Sequence, residues 1–136
     1  MIGVDIFSIL TNNKDISDVV GRNIYPNDAS VKETPLPCIV YWLQNLNLDY
    51  CYDNTGTLEM ATIDLVTLIT SKTYQQVQSL YQDVMLCLVD YSGGRIKGIK
   101  HETSVEDSTF DPNVDDPHKY HTVEITFKVW FDWKTK

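Results

Sequence analysis

Basic residues are outnumbered in this chain, and no apolar run is long. Only 11 lysines and arginines face 19 aspartates and glutamates, so the 136 residues carry a net charge of −8. A protein that binds nucleic acid or an anionic membrane is expected to present a basic face, and this balance argues against both classes. No segment approaches the roughly 20 apolar residues that span a bilayer. The opening MIGVDIFSIL, which contains Asp5, is no secretory leader. We therefore expect a soluble protein made in the cytoplasm, with no membrane partner.

Cysteine is scarce as well. The three cysteines, Cys38, Cys51 and Cys87, are odd in number, and their spacing matches no disulfide framework and no zinc motif. This pattern favours folding in a reducing compartment. With 136 residues and 43% apolar content, the chain can bury a core without covalent cross-links. We expect one domain that covers residues 1–136.

Catalytic and cofactor motifs are missing. There is no Gly-x-Ser-x-Gly elbow, no Walker loop and no His-Glu-x-x-His motif, and the carboxylates are too scattered to nominate an acid and base pair. His118 and His121 are close in sequence but flank a loop and a strand start, where ordinary surface histidines are the simpler interpretation. The acidic loop has Asp116 where an EF-hand needs glycine and Thr122 where it needs glutamate. We predict no enzyme, no cofactor and no EF-hand, and a weak divalent-ion site in this loop stays open.

The clearest structural signal is a strand that leads directly into a helix. Alternation runs through residues 58–70, LEMATIDLVTLIT, with an apolar set on each face. Residues 73–91 then repeat apolar side chains every three or four positions, as in an amphipathic helix. This stripe comprises Val77, Leu80, Tyr81, Val84, Leu88 and Tyr91. A serine and a threonine before the helix can cap its first turn, and the Ser-Gly-Gly segment can end it.

Three further segments have strand character. Residues 38–52 alternate, with Leu46 and Leu48 continuing the pattern, and a turn-forming segment joins them to the next strand as a long antiparallel hairpin. Residues 95–107 alternate weakly, which suggests a strand near an edge. Strong alternation returns in residues 121–133, HTVEITFKVWFDW.

The N-terminal third is less regular. Apolar positions 2, 6, 9 and 10 predict a short helix, and a further helical turn is expected near 15–20, where Asp15 could act as the cap. Residues 22–37 contain three prolines and are predicted to form a surface loop. The element order indicates an α+β fold, in which a four-stranded, mostly antiparallel sheet is packed by the long helix at 73–91 and the short N-terminal helix.

Several aromatic residues fall where a core does not require them. Tyr50 and Tyr52 lie near the hairpin tip, Trp42 lies on the less clearly buried face of its strand, and Trp130 falls on the polar face of the last strand. Aromatic side chains with one polar end are favoured in protein interfaces. The N-terminal helix and the long loop would equally explain them by covering the second face of the sheet. Both interpretations stay open.

Four segments follow one another in an order that is typical of one family. They are VGRNIYP at 20–26, LPCIVY at 36–41, IDLV at 63–66 before the long helix, and ITFKVW at 125–130. In this order the chain resembles the tail-completion proteins of long-tailed bacteriophages, also described as head-to-tail joining or tail-terminator proteins. The likeness covers nearly the whole length. Each segment reflects a structural element and none is a catalytic motif. The resemblance therefore depends on the order and spacing of the four segments.

The resemblance implies a non-enzymatic structural protein of the virion neck, assembled in the bacterial host cytoplasm. Such a protein caps the head-proximal end of the tail tube as a ring, expected to be hexameric, and binds the tube protein and the head-tail connector. DNA would pass through the bore without specific binding, because an acidic bore repels its phosphates. We predict contacts at Asp49, Tyr50, Tyr52 and Asp53, at Asp111, Asp115 and Asp116, and at Trp130.

Two alternative functions remain open. One differs from the neck role in the number of copies in the virion, and the other in having a ligand-binding pocket. A tail-tube or minor tail protein of the same virion would stack in many copies instead of stopping the tube. A small cytoplasmic α+β module that binds a ligand or peptide would be a stable monomer with one apolar pocket.

Overall fold

The computed structural model describes residues 2–26, 36–50, 58–109 and 120–132. The elements follow in the order α1 (Ile2–Asn12), α2 (Lys14–Val20), β1 (Ile24–Pro26), β2 (Cys38–Tyr50), β3 (Leu58–Ser71), α3 (Tyr74–Leu88), β4 (Ile96–Thr109) and β5 (Tyr120–Asp132). The strands form a mixed sheet in the order β1-β2-β3-β5-β4, in which β1 and β2 are parallel and the other pairs antiparallel. The α+β class is confirmed. None of the helices described here is long and apolar enough to cross a membrane.

The prediction of a four-stranded sheet is wrong by one strand, because β1 lies in the segment expected to be a surface loop. Ile24 is buried in the core on the helical side and pairs with Ile39. The backbone amide of Ile39 donates to the carbonyl oxygen of Asn23 at 2.9 Å, next to this parallel pairing. A three-residue strand that ends at Pro26 is too short to show alternation, and its proline indicates a loop.

The N-terminal region forms two helices. Asn13, and not the predicted Asp15, caps α2, because its side-chain oxygen accepts a hydrogen bond from the backbone amide of Ile16 at 3.1 Å. Such a cap contributes about 1 kcal/mol. Gly21 follows α2 with φ +60°, a conformation that glycine adopts without strain. Both helices bury one apolar stripe, which comprises Ile2, Ile6, Leu10, Ile16 and Val20.

The long helix α3 begins where the sequence predicts and ends earlier. The hydroxyl of Thr73 caps it by accepting a hydrogen bond from the backbone amide of Gln76 at 3.2 Å. The helix ends at Leu88 instead of residue 91, and Asp90 (φ +63°) takes a left-handed position ahead of the Ser-Gly-Gly segment. The backbone amide of Asp90 donates to the carbonyl oxygen of Ile99 in β4 at 2.8 Å, so the chain leaves the helix by bonding to the sheet.

All three helices pack on one face of the sheet. On that face Leu43 is opposite Leu65, and Leu65 is opposite Phe127, so the long central strands present a continuous apolar row. A hydrogen bond from the Tyr41 hydroxyl to the carbonyl oxygen of Gly3, at 3.1 Å, ties α1 to β2 on this side. The helix α3 contacts β3, β4 and β5. The apolar face of β5 that the alternation predicts is buried against the helices, and of the two apolar faces of β3 the one with Leu65 packs against them.

A bulge in β2 reverses the face on which its later residues lie. Between Gln44 and Asn47 the register with β3 shifts, and Asn45 adopts φ +57°. Leu46 lies within the bulge and is 48% exposed. Unbroken alternation would place Leu48 on the side of Trp42, and the bulge instead brings it against the core on the helical side. Alternation in the sequence does not reveal the bulge, because one inserted residue changes the face of every residue after it.

Candidate interaction surfaces

We call the face of the sheet away from the helices the open face. It carries Trp42 in β2, Thr62, Asp64 and Val66 in β3, and Thr126, Lys128 and Trp130 in β5. The helices α1, α2 and α3 all lie on the other side, so no helix of the described chain covers it. The N-terminal helix therefore does not bury Trp42 or Trp130. The long loop that was the other candidate cover, at residues 110–119, lies outside the described residues.

The two tryptophans of the open face occupy separate positions. Trp42 is opposite Val66, and Trp130 is opposite Thr62, four residues away along β3. Four strand residues span about 13 Å. The Trp42 indole nitrogen donates to the side-chain oxygen of Gln44 at 3.3 Å. Both indoles are only partly buried, so each keeps some surface in contact with solvent.

Charged side chains lie between the tryptophans. Asp64 is opposite Lys128, and the side-chain amide of Asn45 donates to an Asp64 carboxylate oxygen at 2.9 Å. The Lys128 ammonium also lies 3.9 Å from the carboxylate of Glu102 in β4. Because both partners of this pair are exposed to solvent, the pair contributes little to folding. The open face therefore carries polar and aromatic side chains, and Thr62 and Val66 among them are buried.

The predicted contact residues fall into three groups. Trp130 lies on the open face. Asp49 and Tyr50 are the last two residues of β2, beside a register shift, and their side chains are outside the described part of the structure. The remaining five lie outside the described residues altogether: Tyr52, Asp53, Asp111, Asp115 and Asp116. A contact role for these residues stays a prediction.

The two predicted contact segments join the sheet at opposite ends. β2 and β3 lead into residues 51–57 at the end where Met60 pairs with Asp132. β4 and β5 lead into residues 110–119 at the end where Ser71 pairs with His121. The strand from Met60 to Ser71 spans about 37 Å. The register of the strands, which sequence reasoning did not supply, therefore assigns the two segments to opposite poles of the sheet.

Two grooves lie on the helical side. One, of about 570 Å³, lies between α1 and the end of α3, and its lining includes Asp5, Ile9, Leu86 and Tyr91. The other, of about 400 Å³, lies between the start of α3 and the strands β4 and β5. Both mix polar and apolar side chains, whereas the ligand-binding alternative expects an apolar pocket.

The histidines in the described ranges have structural neighbours. His101 Nε2 lies 2.7 Å from Ser104 Oγ, and its ring is edge-on to Phe127 with centroids 6.2 Å apart. His121 is edge-on to Tyr74 with centroids 5.8 Å apart. Within those ranges no three His, Cys, Asp or Glu side chains converge to hold a metal ion. His118 and the acidic loop lie outside them.

Burial makes the Cys38 thiol a weaker acid. Desolvation raises the pKa of Cys38 above its ordinary value of 9.0, and the polar Thr70 side chain opposite it on β3 offsets part of the shift. The Cys38 thiol therefore loses its proton at a lower pH in the unfolded chain than in the folded protein. Its contribution to the free energy of unfolding is fully present below the pKa of the unfolded chain, and it is lost as the pH rises through the higher pKa of the folded protein. We expect Cys38→Ala to reduce the alkaline loss of unfolding free energy, measured by urea titration with circular dichroism. The dependence of the unfolding free energy on pH near neutrality, where the thiol is protonated in both states, is the internal control. If the unfolding free energy of the variant fell as steeply at alkaline pH as that of the wild type, this prediction would be contradicted.

Comparisons with known proteins concern the fold. No protein-family model and no curated protein matches the chain. Among solved structures, a chain of the one described as "Virion of native gene transfer agent (GTA) particle" is similar over 93% of this chain and 91% of its own length, with a TM-score of 0.63 and 16% sequence identity. At this identity the likeness concerns the fold alone. This chain thus shares its fold with a chain of a gene transfer agent virion.

Proposed function

We propose that this chain is a structural virion protein that caps the head-proximal end of a phage-type tail tube and joins it to the capsid connector as a ring of six copies. In this role it lies in the virion neck and binds the tube protein on one side and the connector on the other. Capping and joining require complementary surfaces and no catalytic group. The ring is assembled in the bacterial host cytoplasm.

The fold likeness to a virion chain is the observation that carries the proposal. It extends over nearly all of both chains, so it concerns the whole architecture and not one shared motif. The order of the segments at 20–26, 36–41, 63–66 and 125–130 adds the resemblance to tail-completion proteins. The first observation supports a place in a virion, and the second supports the neck within it.

The two poles of the sheet suit a protein that connects two partners. A neck protein needs one surface toward the tube and another toward the connector. The predicted contact around Tyr50 and Tyr52 is attached to one pole, and the predicted acidic contact at 111–116 is attached to the other. A tail-terminating ring would use these poles for different partners, whereas a stacking tube protein would join each pole to another copy of itself.

The charge balance suits a bore through which DNA passes. A net charge of −8 repels phosphates and prevents tight contacts that would hold the DNA in place. This part of the proposal requires acidic residues at the bore. A ring with a basic bore and an acidic outer surface would contradict it.

Deletion of the gene tests the neck role. Lysates of the deletion mutant are examined by electron microscopy and scored for heads, tails and joined particles. We expect DNA-filled heads beside separate tails, some of irregular length, because a tube without its cap neither stops nor joins. A plasmid copy of the gene should restore joined particles. Normal joined virions in the deletion lysate would refute the neck role, and loss of all tails would favour a tube protein.

A further inference from the structure

β4 is an edge strand whose first part, with Ile96 and Ile99, is buried in the core and whose middle part lies in solvent. Residues 100–106 are all exposed, and β5 is the one strand that pairs with β4 among the described residues. Burial therefore holds residues 100–106 weakly. The hydroxyls of Tyr81 and Ser104 bind this segment to α3 at 3.1 Å, and the side-chain amide of Gln78 donates to the Glu106 carboxylate at 2.7 Å. Over residues 103–109 the register with β5 is unbroken. A regular edge of this length presents a row of backbone donors and acceptors that can pair with another strand.

Among the described strands, the opposite side of the sheet offers a second free edge. β1 pairs with β2 only at residues 39–41, so the later part of β2 has β3 as its one described neighbour. Leu46 in that part is half exposed. Residues 42–48 carry no charge, whereas residues 100–106 include lysine and glutamate side chains. Pairing the two edges would therefore bring no like charges together, and each copy would contribute a different surface.

The helices above these edges also present apolar side chains. Gly3 of α1 lies against Leu43 of β2, and Phe7, one turn later on the same side of α1, is 40% exposed. Above β4, Tyr81 and Met85 are half-buried on the side of α3 that faces this strand. If the β2 edge of one copy joined the β4 edge of the next, Phe7 would come beside Tyr81 and Met85.

Strand direction permits this pairing. β2, β3, β5 and β4 alternate in direction across the sheet, so β2 and β4 run antiparallel. A neighbour that continues the sheet in the same sense presents its β4 antiparallel to β2, the arrangement that already joins the long strands. We propose that the outer edge of β4 binds the outer edge of β2 in a second copy of this chain. The contact is head to tail and can close into a ring, and it rests on the ring of the proposed function.

Proline substitutions at two neighbouring positions test the β4 edge. In an antiparallel pair, successive residues point their backbone groups alternately toward the partner strand and away from it. Proline lacks the backbone amide hydrogen. Of the two variants Val105→Pro and Glu106→Pro, one therefore loses a hydrogen-bond donor that faces β5, and the other loses a donor that faces outward. The first variant should melt at a lower temperature than the wild type. The second should melt close to the wild type, because at position 106 it would lose only the exposed hydrogen bond between Gln78 and Glu106.

The outward-facing variant gives the decisive measurement. Its mass is determined by light scattering after gel filtration, across a concentration series in which the wild type forms its ring. We expect this variant to stay monomeric. Ring formation at wild-type concentrations would overturn the proposal. A wild type that stays monomeric throughout would also overturn the edge contact, whereas the neck role would still be decided by the deletion lysates.

A second pair of variants tests the helical part of the contact. Phe7→Asp introduces a charge on the side of α1 above β2, and Leu86→Asp introduces the same charge at an exposed site on α3 away from the β4 side. We expect Phe7→Asp to weaken association about tenfold and Leu86→Asp to leave it unchanged, with both variants folded by circular dichroism. Equal weakening by both variants, or by neither, would contradict the placement of Phe7 in the contact.

Discussion

Replacing Phe127 by Ala is expected to lower the free energy of unfolding by about 3–5 kcal/mol. The side chain is fully buried in the middle of β5, opposite Leu65 of β3 and His101 of β4. Strand ladders on both sides hold the backbone, so the surroundings cannot collapse into the space that the ring leaves. Since the free energy of unfolding of a folded domain is only about 5–15 kcal/mol, the variant would retain a small part of its stability. Urea titration followed by circular dichroism measures the change.

The matched control for Phe127→Ala lies three residues away on the same strand. Glu124 is exposed on the open face, and Glu124→Ala should change the free energy of unfolding by no more than about 0.5 kcal/mol. The melting temperature of the Phe127 variant should fall by about 10–20 °C. A loss below about 1 kcal/mol for Phe127→Ala would mean that the core at this position is not packed as described.

Leu80→Ala is expected to cost about 2–5 kcal/mol. Leu80 is fully buried on the side of α3 that faces the sheet, with Val77 and Val84 one turn away on the same stripe. Truncation removes apolar contacts and leaves a cavity between the helix and the sheet.

Leu86 on the same helix supplies the control. Its side chain is 79% exposed, so Leu86→Ala should stay within about 0.5 kcal/mol of the wild type. Both substitutions change leucine to alanine inside one helix, so differences in helix propensity cancel and only burial separates them. Equal costs for the two variants would contradict the orientation of α3. The measurement is again urea unfolding, supported by thermal melting of each variant.

Stability and assembly are separable in this molecule because the core and the free edges use different residues. Phe127 and Leu80 lie between the helices and the sheet, whereas the β4 edge at 100–106 is exposed and contributes little burial. A core variant should therefore lower the stability of the fold, and should lose the ring only under conditions in which it unfolds. An outward-facing edge variant should lose the ring and keep the fold. This contrast distinguishes an assembly defect from a folding defect.

Local signals predicted the strong elements well. The alternation in β5 and the three-and-four spacing in α3 placed Phe127 and Leu80 on apolar faces, and each is fully buried, whereas β3 has an apolar set on both faces and only the structure shows that Leu65 faces the helices. Where the chain departs from regular periodicity, prediction was wrong. β1 is held by pairing with a strand 15 residues later in the chain, Ile24 with Ile39, and no local pattern reports such a contact.

The candidate surfaces were harder to predict than the core. Trp130 could be recognised as out of place, because it interrupts the polar face of a strongly alternating strand. The environment of Trp130 depends on which face of the sheet the helices pack against. That face is determined by the packing of the whole sheet and not by the local sequence. Edge exposure along β4 was anticipated from weak alternation, but the free edge of β2 follows from the shortness of β1. The contact segments at 51–57 and 110–119 lie outside the described residues.

The sequence by itself determined the α+β class, the two strongest strands, the long helix and the apolar faces of β5 and α3, because side-chain periodicity is a local property that burial of one face imposes. It also determined the acidic charge. Tertiary structure alone decided that all three helices share one face, that β1 joins the sheet, that a bulge turns Leu48 toward the core and that the two predicted contact segments are attached at opposite poles. These features depend on pairing between distant strands, whose register is selected by the fit of the whole core.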